Sequence, residues 1–361
     1  MSLHGVYLDR IAKDEKLADS LRTDDMERYT AVPRTVMINQ WSEDLNWILV
    51  DATYPRQIAR RLELVATHRD MVIDRLPGEH VAAAEIELRD MVADYLLASY
   101  PHYFLREGNL LLCPLTGLAV DIGPDGAEPM LAVALLASED MLLLLPEQHD
   151  GMAQPRYVLK SGTLCFPNDW SLRSHFSLPE PASSDPAELE AWQRAKRKSV
   201  NAARLGKSPS EIHDGHVSHY MQNFAARVDL FFSRMEPGLR TWRRNWGMRM
   251  SDQLFLHSDM LPRDLPALNA DNWAKYGYLR SEHETFTKLP HSGAIAFSIK
   301  TFLWQLSDLV KSPLALNALL VANQNLVPTM LEYRADSFPS FRNFLAHYAG
   351  ASQSGKTQEA G

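Results

Sequence analysis

The sequence predicts an α+β fold, with a helical front, a central antiparallel sheet and helices packed around it. Apolar residues recur at helical spacing between Tyr54 and Ser99. Short apolar runs cut by Gly, Pro and Asp then fill the chain to Pro167, and strand-like runs flank the turn "PHSG" further on.

Each element has its own signal. Residues 1–50 show little periodicity and read as an N-terminal extension to a single domain over 51–350. Ile58, Leu62, Leu64, Val65 and Val72 mark a helix that "LPG" ends, and a second helix runs from His80 to Ser99 before Pro101. "YFLREGNLLLCPLTGLAVDIGPDG" reads as antiparallel strands and tight turns. Met130 to Pro146, broken by "SED", reads as paired strands rather than a membrane span. "RYVLKSGTLCFPNDW" adds a strand. A Pro/Ser linker follows, with a surface helix predicted from Pro186 to Leu205 because proline suits a first helical turn. Val217, Met221, Phe224, Val228, Phe231 and Met235 form an apolar helical stripe. "LRTWRRNWGMRM", "GYLRSEHETFTKL" and "AIAFSIKTFLW" read as strands, and helices are expected over Phe302–Asn323 and from Pro328. The polar tail 351–361 is expected to be disordered.

Composition narrows the chemistry. The 361 residues are 45% hydrophobic and 23% charged, with a formal charge of −8, so a polyanion-binding surface is not expected. The basic run Arg194–Lys198 is read as a solvated helix face. Two cysteines, Cys113 and Cys165, are too few for a disulfide framework, a four-cysteine iron–sulfur site or a zinc ribbon within this chain. The opening "MSLHGVYLDRIAKDEK" lacks the apolar core of a secretory signal, so a soluble protein of the cytoplasm is expected. No GxGxxG, Walker loop, GxSxG or HExxH occurs. Electrons for any redox reaction are therefore expected from another chain.

"EIHDGHVSHYMQNF" places histidines at 213, 216 and 219. On one helix these positions would sit at about 0°, −60° and −120°, which opposes convergence on one ion. Gly215 places His213 and His216 before the helix and His219 in its first turn. The positive end of a helix dipole keeps such an imidazole neutral, the form that ligates metals. Three readings stand: a three-histidine metal site, one histidine as a haem or metal ligand, and polar capping. In "YLRSEHETFTK", Arg280, Glu282 and Glu284 share one strand face and Leu279, Ser281 and His283 the other. Buried charges of this kind must pair with each other or meet a ligand. A turn centred near His291 would set Glu282 opposite Lys300 as a cross-strand ion pair, the alternative to a functional row. "RRNW", Arg243 to Trp246, could line a pocket or sit at a sheet rim.

Taken together, these segments resemble the haem-dependent oxidative N-demethylase α-subunit family. The strongest stretch is "LRSEHETFTKLPHSGAIAFSIKTFLW", where Leu279, Arg280, Glu282, Thr285, Leu289, Pro290, Ser292 and Gly293 agree with the family's signature. "RRNW", "CFPNDWSLRSH" and "LGKSPSEIH" resemble further family segments, and the order holds from about residue 50 to 335. The resemblance implies a PAS-like haem domain, of the dimethylamine-monooxygenase type. It also implies b-type haem held by a histidine, and oxidation of a methyl group of a small amine such as dimethylamine to the demethylated amine and formaldehyde. Partner subunits carrying FMN, [2Fe–2S] and NAD(P)H would deliver electrons.

By the same resemblance His213 is the axial ligand, with His216 or His219 as substitutes; Arg280 and Glu282 fall on the family's Arg and Glu. Chemistry then suggests that the arginine anchors a propionate or polarises oxygen, and that the carboxylate holds an alkylammonium; Arg244 and Trp246 are weaker pocket candidates. The family's "aPVP" turn is here "DGHVSHY", its Arg-Gln is His283–Glu284, and about 177–202 is a surface insertion. Alternatives are a non-haem metalloenzyme subunit using His213, His216 and His219 with a carboxylate such as Glu282, and a non-catalytic haem or small-ligand sensor.

Overall fold

The computed structural model describes residues 3–8, 10–22, 26, 29, 39–40, 46–148, 151, 154–168, 170–173, 185–186, 189–190, 203–213, 226–256, 269, 271–324 and 340–348. The strands are β1 Val6–Tyr7, β2 Asn39–Gln40, β3 Ile73–Arg75, β4 Leu105–Glu107, β5 Leu110–Cys113, β6 Leu118–Asp121, β7 Asp140–Glu147, β8 Arg156–Thr163, β9 Arg240–Arg249, β10 Tyr278–Lys288 and β11 Ile295–Gln305. The helices that matter below are α1 Tyr54–Thr67, α2 Glu79–Ser99, α3 Pro129–Leu136, α4 Pro209–His213, α5 Ala226–Arg234 and α6 Pro313–Gln324.

The mixed α+β expectation holds. A small sheet has the order β1-β6-β5-β4 and a large one β2-β9-β10-β11-β7-β8-β3, with antiparallel neighbours throughout. Three sequence readings are corrected. The helix expected to run on to "LPG" ends at Thr67, with Ile73–Arg75 in β3. Phe302–Gln305 belongs to β11 rather than to a helix. Met130–Pro146 is not a pair of strands: α3 precedes β7. Every residue of α3 from Met130 to Leu136 is buried, so no polar stripe reveals the helical period. Pro129 in its first turn was the available helix signal.

Alternation along the central strands gives the large sheet two unlike faces. The back face presents Met141, Leu143, Ala296, Phe302, Trp246 and Leu279 to apolar clusters that also contain residues of α1, α2, α3 and α6. The front face carries Phe286, Phe297, Leu142, Leu144 and Ile299, covered by Phe232 of α5 and by Trp170, Leu172, Leu205 and Ile212. The β10–β11 turn fixes which residues meet across this face. Lys288 pairs with Ile295, and Gly293 turns the chain at φ 66°. The turn therefore centres between His291 and Ser292, which moves the expected register by one residue.

Candidate functional site

Antiparallel register assembles a charged row on the front face. Glu282 lies between Asn245 of β9 and Thr301 of β11, and Glu284 lies between Arg243 and Ile299. Phe286, next along the strand, lies opposite Phe297 and stacks on it at 4.6 Å. The row thus runs from polar to apolar within one strand.

Glu282 is tied on both oxygens. Arg280 Nε donates to its Oε1 at 2.9 Å and Asn245 Nδ2 to its Oε2 at 3.0 Å. The Arg280 guanidinium also donates to the Phe166 carbonyl (2.6 Å), Thr301 Oγ1 (3.2 Å) and the Leu254 carbonyl (3.2 Å). With 2% of its surface exposed, Arg280 is a positioning element that aims the Glu282 carboxylate. The Glu282–Lys300 pair does not form. Lys300 faces His283 across the strands and is buried at the back, donating to Ser138 Oγ at 2.7 Å and lying 3.4 Å from Asp51.

Glu284 is less firmly held. Its Oε2 lies 2.8 Å from Arg243 Nε, yet that buried N–H has no aligned acceptor among the described residues. Burial pushes the Glu284 carboxyl up to about 7; Arg243 opposes this shift and the neighbouring Glu282 adds to it.

His213 ends α4, and the sequence explains how that short helix is held. Ser208 is its N-cap residue and Glu211 closes a capping box: Ser208 N–H donates to Glu211 Oε2 at 2.8 Å, and Glu211 N–H to Ser208 Oγ at 3.3 Å. Arg156 of β8 pairs with Glu211. Ile212, the neighbour of His213, packs in the cluster with Leu142, Leu159 and Ile299, which fastens α4 to the front face. His213 Nδ1 donates to the Pro209 carbonyl at 2.7 Å. In the neutral ring, Nε2 is then the nitrogen that carries the lone pair, the arrangement a metal ligand needs.

Not all the candidates share this face. Arg280 and Glu282 are brought together, and His213 lies on an element covering the same face. Arg244 and Trp246 point to the back, where Arg244 sits over the rings of Tyr29 and Trp242 at 5.1 and 5.0 Å and Trp246 joins an apolar cluster. His216 and His219 lie outside the described residues. Within "RRNW" it is Arg243 and Asn245 that face the front, and period two separates them from Arg244 and Trp246, the two singled out from the sequence. Among the described residues, no group of three or more His, Cys, Asp or Glu side chains is placed to hold a metal ion.

The front face and the elements on it offer an imidazole at His213, a cation at Arg243 and apolar side chains at Leu142, Phe297 and Ile299, residue types that can hold an iron porphyrin, with Leu142 and Ile299 themselves packed beneath Trp170, Leu172, Leu205 and Ile212. The family model described as "haem-dependent oxidative N-demethylase, alpha subunit-like" matches residues 39–180 and 201–338, well over half of the chain.

Proposed function

Because the chain belongs to the family of proteins like the haem-dependent oxidative N-demethylase α-subunit, we propose that it oxidatively demethylates a small methylated amine, such as dimethylamine, at the front face of β10. The observation that carries this is the buried carboxylate row, Glu282 and Glu284, on the face that the histidine-bearing α4 covers. His213 would hold the iron of b-type haem. When bound, the haem would supply insertion of one oxygen atom of O2 into a methyl C–H bond.

The chain's own residues bind and orient the amine. Glu282, fixed by Arg280 and Asn245, offers a negative charge in a site of low polarity, where attraction to an alkylammonium is stronger than in water. Phe286 and Phe297 stack on each other beside the row and make its far end apolar. Arg244 and Trp246 brace β9 from behind and so position Arg243 and Asn245. After hydroxylation the methyl group leaves as formaldehyde: the hydroxyl loses its proton, the C–N bond breaks, and nitrogen takes a proton.

The overall reaction consumes one O2, two electrons and two protons, and releases the demethylated amine, formaldehyde and water. Partner subunits carrying FMN, [2Fe–2S] and NAD(P)H are proposed as the electron source. This fits a sequence with neither a dinucleotide fingerprint nor four cysteines. Formaldehyde release by haem-loaded protein, with a chemical or enzymatic reductant and dimethylamine, tests the reading. Formaldehyde and the demethylated amine should appear together. Haem and amine binding without product would mark a sensor instead.

A further inference from the structure

We propose that Glu284 is the exchangeable carboxylate of the amine site, giving up Arg243 to receive the alkylammonium group, while Glu282 remains fixed. This rests on the amine-oxidation reading above and assigns a specificity-determining residue within it.

The two carboxylates sit two residues apart on one strand face, a Cα separation of about 7 Å. Their surroundings differ. Glu282 accepts one bond on each oxygen, from side chains that are themselves anchored by the protein. Moving it would strand the Arg280 guanidinium, which is also tied to two backbone carbonyls. Glu284 is paired with an arginine whose buried Nε–H is misaligned for hydrogen bonding despite the 2.8 Å approach. That contact has charge attraction without the directional part of a good ion pair.

The Arg243 side chain retains 23% exposure, against 3% for Arg280. It comes from the neighbouring strand and is partly open to solvent. An ammonium N–H donor that replaces it would align with the carboxylate and keep the charge balanced. Above about pH 7 the Glu284 carboxyl is ionised and so carries the charge that receives the ammonium. Among the described residues, the charged groups facing Glu284 are Arg243 from β9 and Glu282 on its own strand; Ile299 lies opposite on β11.

Calorimetric titration of the haem-loaded protein with dimethylammonium tests the exchange without turnover. Glu284→Gln should weaken binding at least about tenfold, a 1.4 kcal/mol change. Arg243→Gln should tighten binding, because the ammonium no longer competes with a resident cation. Wild-type affinity should fall as pH drops through about 7, and this dependence should vanish in Glu284→Gln. Unchanged binding in Glu284→Gln, or unchanged or weaker binding in Arg243→Gln, overturns the proposal. If Glu284→Gln does not fold, the Arg243→Gln result decides. Loss of binding in Glu282→Gln alone leaves the amine reading standing without Glu284. Absence of methylammonium binding in the haem-loaded wild type removes the amine reading itself.

Discussion

At the scale of single residues, burial at Glu284 has a thermodynamic consequence of its own. Its folded value of about 7 exceeds the ordinary carboxylate value of 4.5, so the folded protein holds that proton more tightly than the unfolded chain. Its contribution to stability is full below the ordinary value and is lost as pH rises through about 7. Glu284→Gln should therefore resist denaturant better than wild type above neutrality, by on the order of 3 kcal/mol, with the two converging in acid. Paired urea titrations across that range check the sign, and a wild-type advantage at high pH contradicts it. Glu211 poses a second residue-level question, since its carboxylate both caps α4 and meets Arg156. Glu211→Ala should cost about 1 kcal/mol and speed haem loss to a haem-scavenging protein. Glu211→Gln, which keeps the capping acceptor, should restore retention.

At the scale of elements, the sheet is defined by register and the helices by what they bury. Arg61 of α1 joins helix to sheet: its guanidinium meets Asp140 at 2.8 Å and donates to the Ala134 and Glu139 carbonyls at 2.7 and 2.8 Å. Both partners are fully enclosed, so Arg61→Ala strands a buried carboxylate and should cost about 3–5 kcal/mol. The exposed Lys311–Asp308 pair is the control, and Lys311→Ala should change stability by less than about 1 kcal/mol. Urea midpoints compare the two. The amphipathic helix α1 was legible because one side of it faces solvent. α3 was not, because burial all round removes the periodic signal. The long strands were legible from "PHSG" and their alternation, but counting from His291 could not give a turn centred half a residue later.

At the scale of the whole molecule, one sheet separates two environments. The back is packed by helices and holds buried charges that answer one another, such as Lys300 with Asp51. The front carries fewer apolar side chains, a charged row and the helix bearing His213. That Arg280 and Glu282 share a strand face was legible from period two along β10. Which half of "RRNW" joins them was not, since only the pairing of β9 with β10 decides it. No described helix is long and apolar enough to cross a membrane.

The central claim is that a methylated amine binds the front face of β10 beside a haem held by His213. Titrating the haem-loaded protein with dimethylammonium while recording the Soret band tests it most directly. The account predicts a saturable spectral shift in wild type, abolished in Glu282→Gln, and an altered starting spectrum in His213→Ala. A wild-type spectrum unmoved by dimethylammonium, or a His213→Ala spectrum identical to wild type, would contradict it.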